Sequence, residues 1–171
     1  LIRVDLYDSI KVGNRKLYTI PIPTNGEVKS GTTLKLAKGR NYLLSKSLMF
    51  TEGSKLVIEE GVNVFMKSDT AGSVGLKVMG QMDIAGSATN PVVFTSSKVL
   101  TGTPAGGDWK SLELEGNGIR SFGKISYLRM EYGGKATFSL SNVSSETSID
   151  HVQIFKSSGD GLLVTDGDVN L

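Results

Sequence analysis

The sequence predicts an all-β solenoid of about six rungs with an N-terminal β cap, and three observations carry that prediction. Within residues 124–164, Ile125, Leu128, Met130, Phe138 and Leu140 recur 24 positions later as Ile149, Val152, Ile154, Leu162 and Val164. Upstream, Leu56, Ile58, Val62 and Val64 reappear 20 positions later as Leu76, Val78, Met82 and Ile84. Two different periods imply rungs of one cross-section joined by unequal loops. Helical periodicity is nearly absent, whereas 21 glycines in 171 residues, among many Ser, Thr and Val, favour short strands joined by turns.

Taken in order, residues 1–30 read as a cap on the first rung or as the end of a preceding β domain. Ile2, Val4 and Leu6 alternate, as do Tyr18, Ile20 and Ile22, while Pro21, Pro23 and the Asn25-Gly26 pair mark an edge strand ending in a turn. A solenoid must cover its first open edge, which favours the cap. Residues 31–171 read as the solenoid itself, opened by Leu34 and Leu36, Leu43 and Leu44, and Leu48 and Phe50. The 20-residue copies follow, and Val92, Val93 and Phe94 extend the second. Residues 97–108 lack alternation and read as a protruding loop; Leu112 and Leu114 then resume the core. Val169-Asn170-Leu171 reads as the middle of a strand, so the solenoid is expected to be truncated at its C-terminal end. Each rung's inward Leu, Ile, Val and Met is buried only by its neighbours, at about 1.5–3 kcal/mol for each large side chain.

Composition narrows the partners. Nineteen Lys and Arg against seventeen Asp and Glu give a net charge of +2, with no basic block that would track a phosphate backbone, so nucleic acid is not expected. The absence of cysteine removes disulfides and thiolate metal sites. No stretch approaches the roughly 18 continuous apolar residues of a membrane-spanning helix.

Three stretches resemble known proteins. They are Leu43-Leu44-Ser45-Lys46-Ser47-Leu48 followed by Glu52 to Val62; Ala85 to Ser96 followed by Gly107-Asp108-Trp109; and Ile125-Ser126-Tyr127-Leu128-Arg129-Met130-Glu131-Tyr132-Gly133-Gly134. In that order they are similar to bacterial right-handed parallel β-helix repeat proteins with the pectate-lyase-like fold. The resemblance covers about residues 31–171. It implies an extracellular or outer-surface protein of the Bacteroidetes type, often lipid-anchored, with an architecture shared by pectate lyases, polygalacturonases and adhesins. Such a fold does not fix the function.

A lyase of that kind holds Ca²⁺ on several carboxylates from adjacent strands. Glu113 and Glu115 share an outward face, but one rung on the same columns offer Ser139 and Ser141, and then Leu163 and Thr165. No acidic column is expected. Polygalacturonase-like hydrolysis needs Gly-His-Gly and Arg-Ile-Lys elements, which the chain lacks. Its one histidine, His151, aligns above Tyr127, and because neighbouring strand side chains diverge, Asp150 and His151 are not expected to form a relay. The two-residue gap between Ile149 and Val152 suggests a bend there. Asp160, Asp166 and Asp168 are the candidate metal ligands. Their spacing fits neither known Ca²⁺ loop pattern, so turn chemistry is favoured over a Ca²⁺ site and no cofactor is expected.

Glycans can be bound without catalysis by exposed aromatic platforms beside hydrogen-bonding side chains. The candidates are Trp109 at the exit of the long loop, and Tyr127 and Tyr132 with Arg129 and Glu131 between them. The alternative for Trp109 is that it packs the loop onto the rod, and for Tyr132 that it covers the glycine turn. The expected function is a noncatalytic cell-surface or secreted scaffold that binds a polysaccharide or a surface protein through loops and exposed aromatics, with end-to-end self-association open to it. The alternatives are a fragment of a polysaccharide lyase or glycoside hydrolase whose catalytic rungs lie outside the chain, and a structural spacer.

Overall fold

The computed structural model describes residues 1–3, 8–68 and 73–170; Val4, Leu6 and Leu171 of the sequence reading lie outside them. The described residues wind into a right-handed parallel β-helix of six coils. The first coil holds β1 (Ile2–Arg3), β3 (Arg15–Thr19) and β4 (Glu27–Val28), and β2 (Ser9–Val12) pairs antiparallel with β3 as a hairpin. β5 (Thr33–Leu36), β6 (Asn41–Leu44) and β7 (Leu48–Phe50) form the second; β8 (Lys55–Ile58), β9 (Asn63–Met66) and β10 (Leu76–Val78) the third. β11 (Gln81–Ala85), β12 (Val92–Ser96) and β13 (Leu112–Glu115) form the fourth. In the fifth, one bent strand, β14 (Phe122–Glu131), does the work of two and is followed by β15 (Ala136–Val143); β16 (Ser148–Phe155) and β17 (Asp160–Gly167) complete the sixth.

Stacked coils pair in parallel, so each inward position becomes a column along the rod. One column reads Leu36, Ile58, Ile84, Ile125, Ile149, and another Tyr42, Val64, Phe94, Met130, Ile154. On the opposite sheet Leu48, Leu76, Leu112, Phe138 and Leu162 align, beside Val28, Phe50, Val78, Leu114, Leu140 and Val164. These columns build one continuous apolar core. Parallel pairing makes a side chain bury its counterpart in the next coil, so the columns stay apolar while the loops between strands vary. Leu162 and Val164, in the last coil, are partly exposed.

The 24-residue repeat is the true register of the last two coils, since Ile125 pairs with Ile149 and Phe138 with Leu162. The 20-residue repeat is not a register. Leu56 and Ile58 pair with Met82 and Ile84, whereas Leu76 pairs with Leu48 and Leu112. The copy matched β8 to β10, two strands of one coil on different sheets, because both follow the same inward–outward alternation. The boundary drawn at residue 30 does not interrupt the ladders either: β3 pairs with β6 and β4 with β7, so residues 15–28 already belong to the first coil, while the β2–β3 hairpin edges it.

Corners change character along the rod. In the second and third coils the chain turns on Gly39 and Gly61, both at positive φ. In the fifth and sixth coils the equivalent corner is a single left-handed residue inside a continuous strand, Tyr127 (φ 49°) and His151 (φ 52°). Tyr132 and Lys156 take the same conformation at the next corner, and Asn142 and Asp166 at the third. Each such residue costs about 1 kcal/mol relative to its ordinary backbone.

Residues 97–108 do not protrude freely. They begin with a 3₁₀ turn at Ser97–Val99, and Leu100 then packs on a second apolar cluster of Leu17, Leu43 and Phe65 outside the sheet. The loop closes on Asp108, which is 3% exposed. Its carboxylate accepts from Ser96 Oγ (2.7 Å), Lys98 Nζ (2.7 Å) and the Ala105 N–H (3.0 Å).

Candidate functional site

The outer face of the β12–β14–β16 sheet lies between two corners that carry side chains; the span between them is termed the trough and the corner pairs its ridges. Left-handed backbone at residues 127 and 132 interrupts the strand alternation, so these side chains stand at the margins while residues 129 and 131 form the floor. One ridge is Tyr127 with His151, their rings stacked 4.3 Å apart at 13°. The other is Tyr132 with Lys156, whose Nζ lies 5.2 Å from the Tyr132 ring centroid and 3.5 Å from its hydroxyl.

On the floor Val93, Arg129 and Gln153 align, and Glu131 aligns with Phe155. Arg129 Nε donates to Glu131 Oε1 at 2.6 Å, and its guanidinium carbon lies 4.6 Å from the Phe155 ring centroid. Thr95 Oγ1 donates to Glu131 Oε2 at 3.1 Å. The floor is therefore a preset array of donors and acceptors around an exposed ring. A shallow groove of about 370 Å³ adjoins the first ridge, lined by Ser87, Pro91, Tyr127, Arg129, His151 and Gln153 among others.

Four of the five sequence-predicted ligand residues, Tyr127, Arg129, Glu131 and Tyr132, thus meet on one face. Trp109 does not. It is fully buried, packs against Phe94 with ring centroids 6.4 Å apart, and its Nε1 donates to the Glu131 carbonyl at 2.8 Å. An indole in the rod interior presents no face to a sugar; it fastens the end of the long loop beneath the trough.

Asp150 and His151, expected to diverge, come together: Asp150 Oδ1 lies 2.6 Å from His151 Nδ1. The positive φ at His151 breaks the strand alternation and swings neighbouring side chains to one side. Both are exposed.

Asp160, Asp166 and Asp168 are spread along β17 and past it. Asp166 is a corner residue, and Asp168 binds Arg120 at 3.2 Å. Among the described residues no group of three His, Cys, Asp or Glu could hold a metal ion. On the opposite sheet Lys77, Glu113, Ser139 and Leu163 share one column, and Glu115, Ser141 and Thr165 another. Lys77 binds Glu115 at 2.9 Å, and Glu113 accepts from Ser111 Oγ at 2.5 Å. Carboxylates therefore do not converge there as a Ca²⁺-assisted lyase site requires.

Sequence reasoning missed two site features. Asp108 is the buried anchor of the long loop. Burial pushes its carboxyl upward, but hydrogen bonds from Lys98, Ala105 and Ser96, with the Lys98 charge, outweigh burial and hold it below the ordinary carboxylate range. Phe155 is the exposed ring on the trough floor, aligned with Glu131.

Six parallel coils, three strand segments to a coil and an uninterrupted apolar core define the class as a parallel β-helix. A family model described as the pectate-lyase like beta helix domain matches residues 26–121, more than half of the chain, and the protein belongs to that family. No curated protein and no solved structure matches the chain.

Proposed function

We propose that this chain is a noncatalytic binding module of an extracellular or cell-surface β-helix, and that its ligand is a glycan held in the β12–β14–β16 trough. The observation that carries this reading is the trough itself, where Arg129, Glu131 and Gln153 lie between the Tyr127–His151 and Tyr132–Lys156 ridges beside the exposed Phe155 ring. Sugars are recognised in this way, with apolar C–H faces against rings and hydroxyls on charged or amide side chains. Because Glu131 and Phe155 already fix Arg129, little side-chain freedom is lost on binding.

The test is a glycan-array screen followed by calorimetry with Tyr127→Asn and His151→Asn. Asparagine tolerates the left-handed corner, so each variant removes a ring without breaking the turn. Glycan binding by the native chain that weakens about tenfold or more in both variants, a loss of about 1.4 kcal/mol, supports the proposal. Unchanged binding in folded variants would place the ligand elsewhere, and depolymerisation of a bound polysaccharide would make the chain an enzyme.

A further inference from the structure

The sequence holds two Asn-Gly pairs, Asn25-Gly26 and Asn117-Gly118. Asn-Gly is the pair most open to cyclisation, because glycine puts no side chain in the way of its own nitrogen. The fold treats the two pairs oppositely. At the first, Asn25 Nδ2 donates to Glu27 Oε2 at 3.0 Å, the Glu27 N–H donates to Asn25 Oδ1 at 3.3 Å, and the Gly26 N–H donates to the Pro23 carbonyl at 2.8 Å. Both ends of the side-chain amide and the attacking nitrogen are held.

At the second, Asn117 and Gly118 form the exposed tip between β13 and β14, closed by a bridge between Asn117 and Ile119. Among the described residues the Asn117 side chain has no hydrogen-bond or ion-pair partner. Gly118 is at φ 83°, and open space surrounds the position its Cβ would take. Glycine at that φ is unstrained.

We infer that Asn117 is a self-modification site, converting in the folded protein to a mixture of aspartate and isoaspartate while Asn25 stays intact. The Gly118 nitrogen gives up its proton to hydroxide and attacks Asn117 Cγ. The new N–C bond displaces the side-chain nitrogen, which leaves as ammonia with a proton from water, and a succinimide remains. Water then opens either succinimide carbonyl, leaving aspartate or isoaspartate. The net change is the uptake of one water and the loss of one ammonia. It places a new carboxylate three residues from Arg120, which otherwise binds Asp168 at 3.2 Å, and the isoaspartate form adds a backbone methylene at the tip.

Trypsin separates the two sites, since cleavage after Lys110 and Arg120 isolates residues 111–120, and cleavage after Lys16 and Lys29 isolates residues 17–29. The native protein is held in mildly alkaline buffer, and both peptides are followed by mass spectrometry and by labelling with an isoaspartate-specific methyltransferase. Loss of the Asn117 amide at a rate about tenfold or more above that at Asn25 is the expected result, with the two rates converging in denaturant. N117Q should abolish the label on the first peptide. Equal rates in the folded protein, or an Asn117 that persists when folded yet reacts when unfolded, would overturn the inference.

Discussion

Replacing Trp109 tests whether the trough is held from below. The side chain is fully buried against Phe94, and its Nε1 donates to the Glu131 carbonyl at 2.8 Å. Trp109→Phe keeps an aromatic ring but leaves that carbonyl unpaired, at a cost of about 1–3 kcal/mol, with a further loss for the smaller volume. Trp109→Ala adds the full cavity and should cost about 5 kcal/mol or more, the top of the range for burying and deleting a large aromatic. Because a domain of this size has about 5–15 kcal/mol in total, the alanine variant should be close to unfolded. The assay is guanidinium unfolding followed by far-ultraviolet circular dichroism, since Trp109 is the sole tryptophan and its removal eliminates the fluorescence signal. Wild-type fluorescence should resist acrylamide quenching until the chain unfolds. A Trp109→Phe variant within about 0.5 kcal/mol of wild type, together with easily quenched native fluorescence, would refute the reasoning.

Other outcomes follow from single side chains. Asp108 has a folded-state pKa below its unfolded one, so its contribution is complete above the unfolded value and lost as pH falls through the lower folded value. Asp108→Asn should therefore cost about 1–3 kcal/mol near neutral pH, and the gap should close in acid, as read from denaturation midpoints across a pH series. At the left-handed corner, Asp166→Val should cost about 1–3 kcal/mol and Asp166→Asn almost nothing, because a β-branched residue is strained at φ 52°. Thr147 has a fully buried hydroxyl without a hydrogen-bond partner among the described residues. Thr147→Val, which keeps the shape and removes that polar group, should raise stability by about 1 kcal/mol in chemical denaturation; a loss instead would mean that an internal water serves the hydroxyl.

The architecture was legible where coils follow one another without insertions. Ile125 to Ile149 and Phe138 to Leu162 are true neighbours because residues 124–164 contain no long loop. Upstream the same reasoning misled, since β8 and β10 share an alternation that says nothing about which sheet each strand joins. The fate of Trp109 was hidden for a different reason: an aromatic at a loop exit can face either way, and the deciding partner is a backbone carbonyl 22 residues later. The Asp150–His151 pair was half legible. The odd gap between Ile149 and Val152 marked the bend, but only a left-handed φ at residue 151 brings those neighbours together. The trough emerged from the outward positions of β14, whose residue types were readable although their pairing with Phe155 and Lys156 needed the register.

The exchange of glycine corners for left-handed corners with side chains has a consequence beyond the turn. A glycine corner is blank, whereas Tyr127 and His151, Tyr132 and Lys156, and Asn142 and Asp166 stand in pairs one coil apart. Adjacent strands are spaced at about 4.8 Å, so each pair is the start of a ruled scale along the rod, with one tick per coil. A substitution at a tick changes what is displayed without disturbing the core columns, provided the residue tolerates positive φ. That restricts the alphabet of the display chiefly to Asn, Asp, His and Gly, with Tyr and Lys as the exceptions this chain has admitted.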